Sequence, residues 1–185
     1  MHEAKPVKTP IATGSKLSRH EVDPLPDGTK FRSIVGSLQY LSMNRPNIAF
    51  SVNQVAQFMH SPTTAHWMAI KRILRYLKGT LHRGLTFTRA SSQISLHTYC
   101  DVDWAGNPDD RRSMTGYCLF LGPNAISWSA KKQPTVARSS TEAEYRALAH
   151  TTAEILWVQS ILPDIHFFWR LPQFCTVTTL VHFLL

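Results

Sequence analysis

The sequence lacks the features that would place the protein in a membrane or an oxidising compartment. Its three cysteines, Cys100, Cys118 and Cys175, are odd in number and widely spaced, so neither a disulfide framework nor a zinc motif can be assigned. No apolar run is long enough to cross a bilayer, and the first residues contain no apolar core of a secretory signal. We therefore expect a soluble intracellular protein, in the cytoplasm or the nucleus, with reduced thiols and no membrane partner.

Acidic residues are also scarce. The chain has 12 Asp and Glu against 20 Lys and Arg, which gives a formal net charge of +8 and a pI near 9.7. A positive excess of this size favours a polyanionic partner, most simply nucleic acid, although many basic proteins bind no particular partner. The hydrophobic content of 43% is enough to form a core and excludes wholesale disorder.

Patterning divides the 185 residues into a tether and a helical part, followed by a part rich in strands. Residues 1–28 hold four prolines without a helical or strand period, which predicts an extended linker. Helical spacing then runs through "FRSIVGSLQYLSM", with Ile34, Leu38 and Leu41 on one face, and through "PNIAFSVNQVAQFMH". The clearest helix is "SPTTAHWMAIKRILRYLKGT", with Trp67, Ile70, Leu74 and Leu77 on one face, capped by Thr63 or Thr64 and ended by Gly79.

Beyond residue 80 the pattern is typical of strands. The segments "GLTFTR", "ISLHTYCDV", "TGYCLFLG" and "AISWSAKK" are separated by turn clusters, and a long helix follows over about 141–162. Thr141 with Glu144 three positions later predicts a capping box at the start of that helix. The prediction is an α+β protein, in which an N-terminal helical segment precedes three antiparallel strands and a long helix.

A group of basic residues shares one side of the third predicted helix. A stripe of this kind can face nucleic-acid phosphates, or it can be a solvated surface near a helix C-terminus, where the dipole favours positive charge. Both interpretations stay open for Lys71, Arg72, Arg75 and Lys78.

Three carboxylates are the candidates for chemistry. On a strand, Asp101 would share the more polar face with Tyr99, close to a turn, and taken alone it is typical of an ordinary turn-flanking aspartate. Glu142 and Glu144 fall in the first turns of the long helix, where the dipole also favours acids. If a strand carboxylate and a helix carboxylate converge, a cation must neutralise them, and oxygen ligands suit Mg²⁺ or Mn²⁺.

Several longer stretches together carry a family resemblance. The segments "RPNIAFSVNQVAQFMHSPT", "AIKRILRYLKGT", "DVDWAGNPDDRRSMTGYC" and "ISWSAKKQPTVARSSTEAEYRALA" resemble, in this order, the pol polyprotein of copia-type LTR retrotransposons. The resemblance covers nearly all of residues 4–162. It implies that residues 29–80 are similar to the thumb or connection region of reverse transcriptase. It also implies that residues 81–162 are part of a ribonuclease H-like domain, which hydrolyses the RNA strand of RNA–DNA hybrids.

The resemblance also implies a site. The family uses four acidic residues on two Mg²⁺ or Mn²⁺ ions, and metal-activated water attacks the phosphodiester in line. The first aspartate of the family falls on Asp101 and its glutamate on Glu144, with Glu142 as the alternative. The expected partners are an RNA–DNA hybrid or another nucleic acid and the rest of the pol polyprotein. Contacts to the hybrid backbone are expected from Ser139, Ser140 and Thr141.

Two acidic motifs of the family, "C-D-N" and "K-H-I-E-I-D", do not occur in the sequence. Similarity fades after Leu162, so residues 163–185 form a divergent tail. One choice of codons for residues 176–183, started at the third base, reads as Cys-Asp-Asn-Leu-Ser-Ala-Phe. This pattern predicts a truncated and frameshifted sequence, with weak metal binding, negligible hydrolysis and marginal stability.

Two other classes of function stay open. The first is a non-catalytic nucleic-acid-binding fragment, which would use the basic residues of the third helix together with Arg111 and Arg112. The second is the product of a reading frame that has no function. The indole rings of Trp104, Trp128 and Trp157 are expected to pack in the core.

Overall fold

The computed structural model describes residues 3–12, 14, 16–20, 23–89 and 94–167, and the backbone of 173–177. The chain divides into two compact units. One comprises the described residues up to Leu85 together with Gly106–Arg111, and the other comprises Thr86–Ala105 and the described residues from Arg112 onward. Arg111 therefore belongs to the first unit and Arg112 to the second.

The first unit is built from three helices, α1 (Thr29–Ser42), α2 (Pro46–Ala56) and α3 (Thr64–Gly79). Pro46 occupies the first turn of α2, where its missing N–H has no intrahelical partner to lose. Thr63 is the N-cap of α3, as predicted, and its side chain accepts a hydrogen bond from the backbone N–H of His66. One core, to which all three helices contribute, contains Phe31, Val35, Leu38, Ile48, Val52, Val55, Ile70, Ile73, Tyr76 and Leu77.

The buried faces of α1 and α3 are rotated from the predicted faces. Ile34 and Leu41 of α1, and Trp67 and Leu74 of α3, are only partly buried beside this core. The apolar stripe on each helix is wider than the face that packs. Phe31 and Val35 widen the stripe of α1, and Ile73 and Tyr76 widen that of α3. Periodicity locates such a stripe without fixing its centre.

The second unit contains a sheet of order β3-β2-β1-β4, formed by β1 (Leu96–Asp103), β2 (Met114–Leu121), β3 (Asn124–Lys132) and β4 (Gln173–Val177). β1, β2 and β3 form an antiparallel meander, while β4 pairs parallel to β1. Gly122 has a φ of 57° in the turn between β2 and β3, a conformation that glycine adopts without strain. The α+β class and the three antiparallel strands are confirmed, and β4 comes from the segment expected to be a divergent tail. Residues 178–185 of that tail lie outside the described residues.

Helix α4 (Ser140–Ile161) follows β3 and packs against the sheet. Its buried residues Ala143, Ala147, Thr151, Ile155 and Val158 lie at helical spacing along one side. The sheet contributes to this core mainly from β1 and β2, through Leu96, Cys100, Tyr117 and Leu119.

Two groups of predictions for the chain beyond residue 80 are wrong. Residues 84–89, "GLTFTR", form no strand, because the N–H and carbonyl of Thr88 bond to the side chain of Asn124 at 2.8 and 2.9 Å rather than to a neighbouring strand. Trp104 and Trp157 are not core residues, since 45% and 58% of their surfaces are exposed. Cys100 and Cys118 are buried and form no disulfide in the part of the chain that the structure describes, as expected.

Candidate functional site

One edge of the sheet collects the predicted acidic residues. β1 and β3 run in the same direction because both are antiparallel to β2, and β4 is parallel to β1. These three strands therefore end at the same edge, and α4 begins there because it follows β3. Asp101 lies near the end of β1, and Glu144 lies near the start of α4. The topology thus brings both carboxylates to this edge, named here the acidic edge.

Asp101 lies on the sheet face opposite to the one that α4 covers. Cys100, its neighbour in the strand, is fully buried in the core under α4, and successive strand residues point to opposite faces. Asp101 itself is half-buried, on the face that carries Tyr99. Its partner on β2 is Gly116, which has no side chain, so no neighbouring side chain on that strand crowds the carboxylate. The polar face predicted for Asp101 is confirmed.

The aromatic rings on this face form a compact group. The His97 ring stacks on Phe120 with centroids 5.3 Å apart, and Tyr99 meets both rings edge-on at 5.8 and 5.9 Å. Edge-to-face and offset-stacked rings stabilise one another by about 0.5–1.5 kcal/mol per pair. This group fixes the strand two residues before Asp101, so the backbone that carries the carboxylate is held on both faces.

The two glutamates of α4 have different surroundings. The carboxylate of Glu142 accepts hydrogen bonds from the backbone N–H of Arg138 at 2.7 Å and from the Arg146 guanidinium at 2.6 Å. The Arg138 N–H is the main cause that lowers the pKa of Glu142, and Arg146 contributes. Glu144 is exposed, and among the described residues it makes no hydrogen bond or ion pair. Glu142 therefore serves the helix start, whereas Glu144 has its carboxylate available.

The start of α4 also decides the roles of the neighbouring hydroxyls. Ser139 is the N-cap, and its Oγ accepts from the backbone N–H of Glu142 at 3.1 Å. The predicted capping box of Thr141 with Glu144 is wrong, because the helix begins two residues earlier than that pairing requires. Ser140 and Thr141 are exposed in the first turn. Three consecutive hydroxyl residues offer three possible caps, and the sequence alone does not choose between them.

A set of buried hydrogen bonds joins β2, the neighbour of the strand that carries Asp101, to the helix that carries Glu144. The Gln133 Nε2 donates to the Thr115 Oγ1 and to the Ala143 carbonyl, both at 3.0 Å, and its side chain is only 5% exposed. Thr115 pairs with Val102, next to Asp101, and Ala143 precedes Glu144. Gln133 therefore links β2 to the first turns of α4.

Two more bonds hold the segment that follows Asp101. The indole N–H of Trp104 donates to the Ala137 carbonyl at 3.3 Å, and the Ala105 N–H donates to the Ser113 Oγ at 3.1 Å. Ser113 is fully buried, and its carbonyl accepts from the Gln133 N–H at 2.8 Å. The sequence prediction did not include Gln133 or Ser113, and a single polar residue at a strand end gives no signal of a long-range bond.

The acidic edge does not hold a complete metal site by itself. Within the described ranges, no group of three or more His, Cys, Asp or Glu side chains is placed to hold a metal ion. Asp101 and Glu144 supply two carboxylates, and a Mg²⁺ ion bound by so few protein oxygens relies on water or other partners for its remaining ligands. The donor set that is present therefore does not fit a resident pair of cations.

The basic stripe lies in the first unit, on α3. Lys71 is exposed, with its ammonium 5.8 Å from the centroid of the Trp67 ring. The other three side chains of the stripe, Arg72, Arg75 and Lys78, bond to the N-terminal segment of the chain. The stripe therefore contacts protein as well as solvent. No helix among the described residues is long and apolar enough to span a membrane.

Comparisons with known proteins give relatives by sequence alone. No family model matches the chain, and no solved structure matches it. It is 52% identical over 165 residues to the retrovirus-related Pol polyprotein from transposon RE2 of Arabidopsis thaliana, covering 89% of this chain and 11% of that protein. It is 42% identical over 172 residues to the retrovirus-related Pol polyprotein from transposon TNT 1-94 of Nicotiana tabacum, covering 89% of this chain and 13% of that protein. It is also 46% identical over 129 residues to secreted RxLR effector protein 161 of Plasmopara viticola, covering 69% of this chain and 90% of that protein.

Proposed function

The chain belongs to the retrovirus-related Pol polyproteins of transposons, and we propose that it derives from a copia-type element. Residues 29–80 would come from the end of the reverse transcriptase and residues 81–162 from a ribonuclease H-like domain. The ancestral activity would be hydrolysis of the RNA strand of RNA–DNA hybrids. The chain spans about a tenth of the transposon polyproteins, so the remaining segments of such a polyprotein are the proposed partners.

The observation that supports a nuclease ancestry is the acidic edge. Asp101 near the end of β1 and Glu144 near the start of α4 both lie at the edge where parallel strands end, which is where open α/β sheets place their ligands. We assign both carboxylates to the metal and catalytic site of the ancestral enzyme. Glu144 is preferred over Glu142, because the carboxylate of Glu142 already bonds Arg138 and Arg146. The ions would be Mg²⁺ or Mn²⁺, as oxygen donors favour.

The register of β4 supports the frameshift. The last described pair between β1 and β4 is Cys100 with Val177, so the next position along β1 is Asp101. In the shifted frame, the aspartate of Cys-Asp-Asn is read from the last base of the Val177 codon and the first two bases of the next codon. The lost acid would therefore fall in the sequence next to the residue that pairs with Cys100. Sequencing of the locus tests this, and a third-base frame that does not encode Cys-Asp-Asn would contradict it.

Hydrolysis by the purified chain is expected to be negligible, because two carboxylates cannot hold two divalent ions in a fixed geometry. The experiment incubates the chain with a labelled RNA–DNA hybrid in Mg²⁺ or Mn²⁺ and compares it with Asp101→Asn. Metal-dependent cleavage that disappears in Asp101→Asn would show a complete site and overturn the proposed loss of activity. Cleavage that survives the substitution would point to a contaminating nuclease.

A second candidate function is sequence-independent binding of nucleic acid. It is favoured by the formal charge of +8 and by the cationic side chains on α3. Affinity that falls steeply with salt, without cleavage, is the expected signature, because binding to phosphates releases counterions. Affinity that is independent of salt would contradict this candidate.

A further inference from the structure

Three of the four basic residues of α3 bind a segment near the N-terminus, Ala4–Thr9, named here the strap. The Arg75 Nε donates to the Lys5 carbonyl at 2.7 Å, and the Lys78 Nζ donates to the Ala4 carbonyl at 3.0 Å. The Arg72 Nη2 donates to the Thr9 Oγ1 at 2.8 Å. The groups that could hold phosphates are therefore occupied by neutral oxygens of the chain itself.

Gly79 at the end of α3 is shaped to accept the strap. A Cβ atom at this position would lie 2.9 Å from the Pro6 Cβ and 3.8 Å from the Val7 carbonyl oxygen. Since a carbon–carbon contact under about 3.5 Å is repulsive, any side chain here would push Pro6 away. The strap is thus held by three hydrogen bonds and by one close approach that requires glycine.

The closed arrangement is nevertheless incompletely packed. A cavity of about 920 Å³ lies between the N-terminal segment and the α2 and α3 helices. Two buried polar atoms of residues that line it, the Gln54 Oε1 and the Arg72 Nε, have no hydrogen-bond partner among the described residues. Buried polar atoms without partners oppose the state that contains them.

We propose that the strap is an autoinhibitory segment that competes with nucleic-acid phosphates for the basic side of α3. Phosphate oxygens carry negative charge, whereas the strap offers only neutral oxygens, so a polyanion adds Coulombic attraction and bidentate pairing with arginine that the strap lacks and can displace it. Displacement frees Arg72, Arg75 and Lys78 for phosphates. This inference rests on the proposed nucleic-acid binding and names what regulates it.

Gly79→Ala tests the strap without changing any charge. The methyl group displaces Pro6, and alanine is favourable within a helix. The matched control is Gly36→Ala in α1, where a Cβ would meet no atom within 4 Å. Trypsin cleavage after Lys8, identified by mass, reports the open strap, whereas cleavage after Lys5 is blocked by Pro6. Fluorescence anisotropy with a 20-base-pair RNA–DNA hybrid reports affinity over a range of salt concentrations.

Gly79→Ala is expected to cleave about tenfold faster after Lys8 and to bind the hybrid about tenfold more tightly, because both quantities follow the open population. Its salt dependence should steepen by roughly two to three phosphate contacts. Arg75→Gln in the Gly79→Ala background should lose part of the gain, while Gly36→Ala should match the unsubstituted chain.

Other outcomes separate the two proposals. Suppose that the unsubstituted chain binds the hybrid and that Gly79→Ala is cleaved faster but binds no more tightly. The strap would then not compete with the hybrid, and this inference alone would be overturned. Unchanged cleavage would overturn it as well, since the Pro6–Gly79 approach would not hold the strap closed. Failure of every variant to bind the hybrid, with Lys8 open to trypsin, would overturn the nucleic-acid surface itself and the inference with it.

Discussion

Replacing Gln133 by glutamate changes one buried donor into an acceptor of the same size. The Gln133 Nε2 donates to the Thr115 Oγ1 and to the Ala143 carbonyl, each at 3.0 Å. A carbonyl only accepts, so the bond to Ala143 fixes which end of the amide faces the helix. In Gln133→Glu, an ionised carboxylate oxygen would face that carbonyl, in a position that is only 5% exposed.

The cost of this substitution depends on pH. When the introduced glutamate is ionised, it loses a hydrogen bond worth about 1 kcal/mol and buries a charge. When it is protonated, it can donate to Ala143 again, so burial raises its folded pKa above the unfolded value near 4.3. A group whose folded pKa is raised contributes its stability below the unfolded pKa and loses it as pH rises through the folded pKa.

The size of the pKa shift sets how much unfolding free energy the variant loses. A shift of about two pH units corresponds to a loss of about 3 kcal/mol between pH 4 and pH 7 or above. Near pH 4, the variant should fall short of the unsubstituted chain by only about 1 kcal/mol. The control Gln133→Met, which removes the amide without a titrating group, should lose about 1–3 kcal/mol at every pH.

Urea unfolding at pH 4, 5.5 and 7 measures these differences. Tryptophan fluorescence is the probe of unfolding, and Trp104, Trp128 and Trp157 of the second unit contribute to it. The quantity compared is the stability difference from the unsubstituted chain at the same pH. If Gln133→Glu were as stable as the unsubstituted chain at pH 7, the amide would not be donating to Ala143 and the assigned link between β2 and α4 would be wrong.

Two further predictions address the site and its surroundings. Ser139→Ala should lower the free energy of unfolding by about 1 kcal/mol through loss of the N-cap. A fall in hybrid affinity without a fall in stability would instead indicate that Ser139 contacts nucleic acid. Burial raises the pKa of the Cys118 thiol to about 11, so iodoacetamide at pH 8 should modify it roughly a hundredfold more slowly in the folded chain than in the chain unfolded by urea. Mass spectrometry measures both rates, and equal rates would show that the thiol is exposed in the folded chain.

Short sequence patterns predicted the features that depend on residues close together in the chain. The N-cap Thr63 precedes a long apolar stripe, and the alternation around Asp101 was readable because one face of β1 is buried and the other is not. The predicted strand at 84–89 failed for a reason that no local pattern contains. The side chain of Asn124, more than 30 residues away, takes the backbone bonds of Thr88 that a neighbouring strand would have used.

The remaining features depend on contacts between distant parts of the chain. The bond from Gln133 to Ala143 is a single polar contact, and the sequence pattern around it is that of an ordinary strand end. The partners of Arg75 and Lys78 are main-chain carbonyls, which every residue possesses, so no residue type in the strap indicates the contact. The charge pattern left open whether these cations face phosphates or solvent, and it did not predict that they bind oxygens of the same chain.

The parallel pairing of β4 has a consequence for assembly of the second unit. β1, β2 and β3 follow one another in the chain and can pair as soon as they are synthesised, whereas β4 must wait for α4 to cross the sheet. Until then, the outer side of β1 presents unpaired backbone groups to any other extended chain. A chain in which β4 docks slowly would therefore be prone to self-association through β1, and the kinetics of this last strand would govern the yield of folded protein.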